Sequence, residues 1–563
     1  MASTVLPFTF DSAVAQGFDR LRPRLPKELA EACERAPHLA EYLGRLPLDE
    51  TGIPAYYTKL SRSLSQLENR NLIYPLEQGL FVHIYPDKSG ARDHYVCIEP
   101  TTVIDIEEPL ALVEEQLIAW AEEIGRIEDA DEKRAFLLKL IDALCTTQRR
   151  NGSSARRPAK IYVPPDVLEG IRYRILRDKI GLGVLQPLLL DPYIEDISCS
   201  GVGHVFVEHK IFKSVQSSIV FSTHDEVDDF VVWLGEWIKS PVTVRNPLVD
   251  SVLPDGSRIN IVYGREISKR GSNFTIRKFS GVPTSVLELI EFGTLNYTMA
   301  AYLSFMLEEG LNMFVVGATA SGKTTTLNAL NTFLKPDAKI VTIEDTPEVH
   351  VPHKNWLQEV SRPTSAGAKG SEVGMFELLR AALRQRPDRI IVGEIRSVEA
   401  VVAFQAMQTG HGVMSTFHAD SVEKLIQRLT GDPINIPKTY IDNLHLAVIQ
   451  GAVRLQDGKM ARRILSINEI LGYDPVSETF SFLEAFRWNP ATDIFEFSGY
   501  MNSYLLEQHI AIRRGIPPHR RKAIYDEVKR RARIFEKLHR EKGVTDFYEF
   551  FQILSEARRQ NLL

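Results

Sequence analysis

The stretch Gly317-Ala318-Thr319-Ala320-Ser321-Gly322-Lys323-Thr324, with Thr325 after it, decides how this chain is read. It has the form G-x-x-x-x-G-K-[ST] and stands between an apolar run, Met313-Phe314-Val315-Val316, and a helix-forming segment from Lys323 to Phe333. A polyphosphate needs several backbone N–H donors converging on it, and only a loop of small residues lets the backbone come close enough. Lys323 supplies a point charge for the outer phosphates. The Thr324 hydroxyl is placed for Mg2+, and the helix N-terminus adds its dipole. A strand before the loop and a helix after it form the context in which this pattern marks a nucleoside-triphosphate site. The reading predicts ATP and Mg2+ as ligands, and hydrolysis as the reaction.

At 563 residues the chain is too long for one core, and about 150 residues per domain suggests three or four. Apolar content of 44% and charged content of 25% are those of a soluble globular protein. No uninterrupted apolar segment reaches the roughly 18 residues needed to span a bilayer, and Met1 to Pro7 has no basic leader. The expectation is a cytoplasmic protein, held at a membrane only through partners. Cys33, Cys97, Cys145 and Cys199 are far apart, with no C-x-x-C pair for zinc or thiol exchange, and read as reduced, buried thiols. A net charge of −6 argues against direct nucleic-acid binding. Locally, residues 513–542 carry twelve Lys or Arg against four Asp or Glu, a run that could contact an anionic membrane surface or an acidic partner.

Apolar spacing predicts helices over Pro109 to Leu144, and the polar run from Gln148 to Pro158 reads as a linker. The division expected is an N-terminal, partly helical extension at 1–158, with its linker at 146–160, and a small α+β domain at 159–282. Short β-like segments at 194–198, 204–208, 218–221, 259–263 and 273–277 surround a helix at 226–238 in that domain. Gly281-Val282-Pro283 reads as a hinge. From Leu311, apolar runs at 313–316, 340–343, 389–393, 412–416 and 463–470 alternate with helical patterns, as in a largely parallel sheet. This α/β region, at 283–500, resembles the RecA-like P-loop ATPase core, and 501–563 reads as a C-terminal helical segment broken at Gly515-Ile516-Pro517-Pro518.

Hydrolysis needs a group to orient water and another to hold Mg2+, and carboxylates at the ends of strands adjacent to the phosphate loop serve both needs. Two such ends occur: Thr342-Ile343-Glu344-Asp345-Thr346-Pro347-Glu348, and Arg389-Ile390-Ile391-Val392-Gly393-Glu394-Ile395-Arg396. Acidic residues after strands can simply cap the next turn; a phosphate loop upstream favours catalysis. Thr409-Gly410-His411 and Thr416-Phe417-His418 flank another predicted strand.

Phosphate loop, T-I-E-D-x-x-E, RQRPDRIIVGEIR and TGH…ST-x-H, in this order, resemble the secretion ATPases that drive type IV pili, type II secretion and archaella. The four segments match that family's Walker A, aspartate box, Walker B and histidine box, and cover roughly Leu311 to Arg428. Looser similarity runs from Leu182 to Asp493. No four-cysteine zinc module follows the histidine box, and Arg462 to Ile470 with Arg487 to Asp493 looks like the archaeal branch.

The resemblance implies that Glu348 polarises the attacking water, supported by Glu344 and Asp345. It implies that Glu394, with Thr324, organises Mg2+, partly through water. His411 and His418 would sense the γ-phosphate. Arg277 and Arg258, in a preceding domain with a PAS-like role of closing over nucleotide, would reach the phosphates. Arg380, Arg384 and Arg386 could lie at a subunit interface. The family works as a homo-hexamer acting on a polytopic membrane platform protein. Two alternatives remain open at this point: an ATPase motor for DNA transfer or uptake, and a nucleotide-gated scaffold without turnover.

Overall fold

The computed structural model describes residues 3–8, 10, 21–61, 64, 67, 69–87, 92–148, 160–279, 283–362 and 373–560, with only the backbone described at Asp49 and Glu50. Most of the expected linker, and Gly281 and Val282 of the expected hinge, lie outside the described residues. The chain divides into two compact units, Met1–Phe279 and Ser280–Leu563.

The first unit corrects the expected boundary near residue 158. Eleven of its strands form one sheet, and residues before and after the linker share it, while Cys145–Thr146 and Ile161–Tyr162 pair separately. Leu248–Val252, Arg258–Val262, Asn273–Arg277, Ile194–Cys199, Gly203–His209 and Lys213–Phe221 follow one another across the sheet. The next strand is His94–Ile98, then Phe81–Tyr85, Leu72–Pro75 and Ala55–Tyr56. Ser3–Thr4 pairs separately with Lys213–Phe221. The seam is a short parallel pairing in which Gln216 faces His94 and Ser217 faces Tyr95.

A buried polar group locks that seam. Asp191, fully buried, accepts from Tyr74 Oη at 2.6 Å and Tyr95 Oη at 2.8 Å, both from the N-terminal side, and from the Tyr193 backbone N–H at 2.8 Å. Burial pushes the Asp191 carboxyl up, and these donors oppose the shift. The ion pair between Arg177 and Glu99, 2.7 Å and nearly buried, ties the same two stretches. Separated from residues 1–148, the 160–279 segment would leave Asp191 without its two tyrosine donors and Arg177 without Glu99, so the two fold together.

In the second unit, parallel pairing sets the geometry. Its strands in chain order are β1 (Met313–Gly317), β2 (Ile340–Glu344), β3 (Trp356–Val360), β4 (Arg389–Ile395), β5 (Gly412–Phe417), β6 (Leu446–Arg454), β7 (Met460–Asp474), β8 (Thr479–Asn489) and β9 (Ile494–Glu496). Across the sheet the order is β3-β2-β4-β5-β1-β6-β7-β8-β9. Pairing is parallel from β3 to β6 and antiparallel beyond. β1 to β5 are joined through crossovers and share one carboxyl edge, as the RecA-like fold requires. β1, β2 and the first four residues of β4 are wholly buried, which is why they read as apolar runs without alternation.

Helix α1 (Tyr297–Glu308) lies under the sheet; Met299 to Leu307 are all buried. Its last turn is held by Arg389 at the start of β4, which donates to Leu307 O and Leu311 O at 2.9 Å each. C-terminal helices Ala523–Arg540 and Phe547–Arg559 pack in the same unit. There Arg531, 2% exposed, lies 3.7 Å over the Phe305 ring and donates to Glu308 at 2.7 Å, while Arg514 is 3.6 Å from the same carboxylate. Part of the basic run at 513–542 is therefore internal structure. Lys522, Lys529, Arg533, Lys537 and Arg540 remain exposed. Among the described residues no helix is long and apolar enough to cross a membrane.

Replacing both Tyr74 and Tyr95 by Phe should lower the unfolding free energy by about 2–4 kcal/mol, because Asp191 loses both hydroxyl donors while staying buried. Urea unfolding followed by circular dichroism reads this; an unchanged midpoint would mean that Asp191 does not hold the seam.

Candidate active site

The loop after β1 is shaped by close approach. A Cβ on Gly317 would stand 2.2 Å from Gln450 O and 2.6 Å from Ser321 Oγ, so no larger residue fits. Gly322, at φ +93°, occupies the left-handed region that glycine adopts without strain, and it directly precedes helix α2 (Lys323–Leu330). No side chain caps that helix. Ala318, Thr319 and Ala320 are exposed, while Ser321 and Lys323 are buried. Ser321 Oγ has no hydrogen-bond partner among the described residues. An uncapped helix start, an orphaned buried hydroxyl and a buried ammonium around one small-residue loop fit a polyphosphate. Thr324 and Thr325, both half-buried, form the first turn of α2.

Lys323 is the start of a chain of polar contacts. Its Nζ donates to Ala318 O at 3.0 Å and lies 3.4 Å from His418 Nδ1. His418 Nε2 lies 2.6 Å from Glu394 Oε1, and the other oxygen of Glu394 accepts from Arg396 Nε at 2.9 Å. An ammonium cannot accept, so His418 Nδ1 is the acceptor and, in the neutral ring, the proton sits on Nε2, beside the Glu394 carboxylate. Burial lowers the His418 pKa, partly opposed by Glu394, which keeps the ring in this neutral form near pH 7. Burial also lowers the Lys323 pKa, while Glu394 and Glu348 favour its charged form.

A bulge aims Glu394. Val392 pairs with Ser415, yet Glu394 pairs with Thr416, so Gly393 is the extra residue in β4. Thr416 Oγ1 fixes the bulge by donating to Gly393 O at 2.7 Å. A Cβ on Gly393 would come within 3.0 Å of Glu344 Cγ, which explains glycine before Glu394.

Glu344 serves as a cap. Its Oε1 accepts from the backbone N–H groups of Glu348 and Val349, each at 2.7 Å. Burial raises its pKa to about 7, against these two donors. On the other side, Asn328 of α2 donates to Glu348 O at 2.8 Å and accepts from the His350 N–H at 2.9 Å, and Asn331 donates to His350 O at 2.9 Å. Glu348 is thus suspended between β2 and the phosphate-loop helix, its side chain half-buried. Asp345 is turned to Ser361, at 2.9 Å.

The structure therefore brings together residues 317–325, Glu344, Glu348, Glu394 and His418. Two expectations need correction. The neighbours of β1 are β5 and β6, so the strands carrying Glu344 and Glu394 are not adjacent to the phosphate-loop strand. His411 precedes β5 while His418 follows it, so at ~3.3 Å per residue a six-residue strand separates them by about 20 Å. Within this chain His411 is on the far edge of the sheet, bonded to Thr409 Oγ1 at 3.0 Å, and far from the Lys323 ammonium. Arg258 and Arg277 belong to the first unit, where they face each other across neighbouring strands, with Asp250 beside Arg258 and Asp196 opposite Arg277. The motifs did not disclose Asn328, Asn331 or Gln450, nor the contacts of Arg396 and Arg462. Arg462 donates to Ala320 O at 3.2 Å, and its partner lies far away in sequence.

With this geometry in place, comparison with known proteins is informative. Residues 179–471 match the family model described as type II/IV secretion system protein. The uncharacterized protein MJ0900 of Methanocaldococcus jannaschii is 44% identical over 536 residues, covering 94% of this chain and 96% of that protein. Protein VirB11 of Agrobacterium fabrum is 30% identical over 265 residues, 42% of this chain and 76% of VirB11. The crystal structure of the Legionella pneumophila ATPase DotB, 17% identical, overlays on 68% of this chain and 95% of that one with a TM-score of 0.39. The chain belongs to the type II/IV secretion system protein family.

Proposed function

We propose that this chain is a hexameric ATPase that converts ATP hydrolysis into assembly of a type IV pilus-like filament or a related secretion machine, acting on a polytopic membrane platform protein. The observation that carries the reading is the Lys323–His418–Glu394 chain, because it ties the phosphate-binding ammonium to the carboxylate of the Walker B position through one neutral imidazole.

ATP is the substrate, and its phosphates would take the place of Ala318 O as acceptor for Lys323. The uncapped N–H groups of α2 and Ser321 Oγ would meet the remaining phosphate oxygens. Thr324 and, through water, Glu394 would hold Mg2+, which supplies charge neutralisation on the transferred phosphoryl group. Glu348 polarises the attacking water, while Glu344 fixes the loop through the two N–H groups it accepts. When Lys323 turns to phosphate, His418 Nδ1 loses its donor and the contact of the ring with Glu394 readjusts. That change reports nucleotide state to the opposite face of His418 and beyond.

By the family resemblance, Arg277 and, with it, Arg258 would contribute positive charge to the phosphates. His411, remote from its own site, is available for a role at a neighbouring subunit. The exposed lysines and arginines of 522–540 supply the contact with the platform or with anionic lipid.

Glu348→Gln should lower kcat by about 10²–10⁴-fold and leave nucleotide affinity near wild type, since the group acts on water. Phosphate release across a protein concentration series, with sizing in a non-hydrolysable ATP analogue, checks this together with ring formation; activity indifferent to Glu348 or to assembly sinks the motor reading. Asn328→Ala should reduce kcat roughly tenfold with little change in KM, because it frees the loop that positions Glu348. Lys323→Ala should abolish nucleotide binding in a filtration assay, and retained affinity would show that the loop binds something other than a polyphosphate.

A further inference from the structure

The helices of the N-terminal region end in a tip where Ile124 and Phe136 pack against the core and Ile118 and Trp120 stay largely uncovered. Glu107–Leu117 and Ala130–Leu144 are anchored by buried Leu110, Val113, Leu117, Leu137, Leu140 and Ile141. Between Leu117 and Leu137 no residue is buried. Yet this tip carries Ile118, Trp120, Ile124, Ile127 and Phe136. Ile118 is 72% exposed and Trp120 40%; the Trp120 ring meets only the edge of Phe136, with centroids 6.4 Å apart. Large apolar side chains gathered at an exposed helical turn mark an interaction site.

Charge selects the partner. From Asp105 to Phe136 there are eleven Asp or Glu and three Lys or Arg. Arg126 is paired with Glu122 at 2.6 Å, and Asp129 caps its helix by accepting from the Glu132 N–H at 2.8 Å. Exposed Glu123, Glu128, Asp131 and Glu132 remain around the apolar residues. Such a field repels phosphate headgroups and nucleic acid, and attracts a cationic chain. The chain's own Arg149, Arg150, Arg156 and Arg157 offer charge but stand in a run without a large apolar side chain, so they cannot cover Ile118 and Trp120.

We propose that the tip at 118–136 docks a Lys- and Arg-rich segment of a protein partner, whose apolar side chain packs against Ile118 and Trp120 while its cations meet the surrounding carboxylates. The inference stands on the first unit alone and does not depend on the ATPase reading. A basic amphipathic segment of this kind presents both halves of the required chemistry.

The test uses the full chain and a labelled helical peptide of about 18 residues built from Lys and Leu at amphipathic spacing, with a Glu/Leu counterpart as control. Fluorescence anisotropy should show binding of the Lys peptide that weakens at least roughly tenfold between about 50 and 300 mM salt, as screening of an exposed contact requires. Either Ile118→Asp with Trp120→Ser, or Glu123→Lys with Glu128→Lys, should weaken it by a further factor of about 10, with thermal unfolding and basal ATPase activity unchanged. None of these four side chains belongs to the buried core, so the variants retain their fold. No binding of the Lys peptide, equal binding of the Glu peptide, or unaltered affinity in both variants overturns the proposal. Co-sedimentation with phosphatidylcholine or phosphatidylserine vesicles, lost in the Ile118/Trp120 variant, overturns it in favour of a lipid surface.

Discussion

Lys323 is an ammonium group only 8% exposed, and everything around the site answers to the need to keep it charged there. Burial works against the charge, so acceptors must converge: Ala318 O from its own loop and His418 Nδ1 from β5. His418 can accept when its ring is neutral with the proton on Nε2, beside Glu394, and the bulge of β4 at Gly393 sets where Glu394 lies. That bulge needs glycine, because Glu344 lies against it. One buried cation therefore accounts for the residue types on three strands, and the parallel pairing of β1, β5 and β4 brings them to one edge.

The site was legible in sequence to the extent that its parts are local. Residues 317–324 carry their chemistry in eight consecutive positions, and the strand ends at Glu344 and Glu394 follow uninterrupted apolar runs that only a sheet buried on both faces requires. His411 shows the limit of such reading. It looks equivalent to His418 because both flank one strand, but a strand has two ends, and the sequence does not say which end faces the loop until the direction of its neighbours is known. Asn328 and Asn331 were hidden for another reason: on a helix surface an asparagine signals nothing until the loop that it holds is seen.

The N-terminal sheet was the least legible part of the fold. Leu72–Pro75, Phe81–Tyr85 and His94–Ile98 are short, and the last two are almost entirely buried, so they show no alternation. A run of five apolar residues does not reveal whether it is strand or buried helix. Their completing partner, Lys213–Phe221, lies beyond a polar run that reads as a domain boundary, and a buried Asp191 tied to two tyrosines has no local pattern at all. Sequence distance concealed what burial makes obligatory.

The parallel seam between Gln216 and His94 has a consequence during synthesis. The strand His94–Ile98 leaves the ribosome with one edge already paired to Phe81–Tyr85, and its other edge must wait for residues made roughly 120 positions later. At ~5–20 residues per second that interval is roughly 6–24 s. For that time a nascent chain displays an apolar strand edge open to any other strand in reach. Asp191 emerges some 25 residues before the strand that closes the edge, so its tyrosine partners can be engaged first, and a hydrogen-bonded carboxylate can hold the unfinished seam until Lys213–Phe221 arrives.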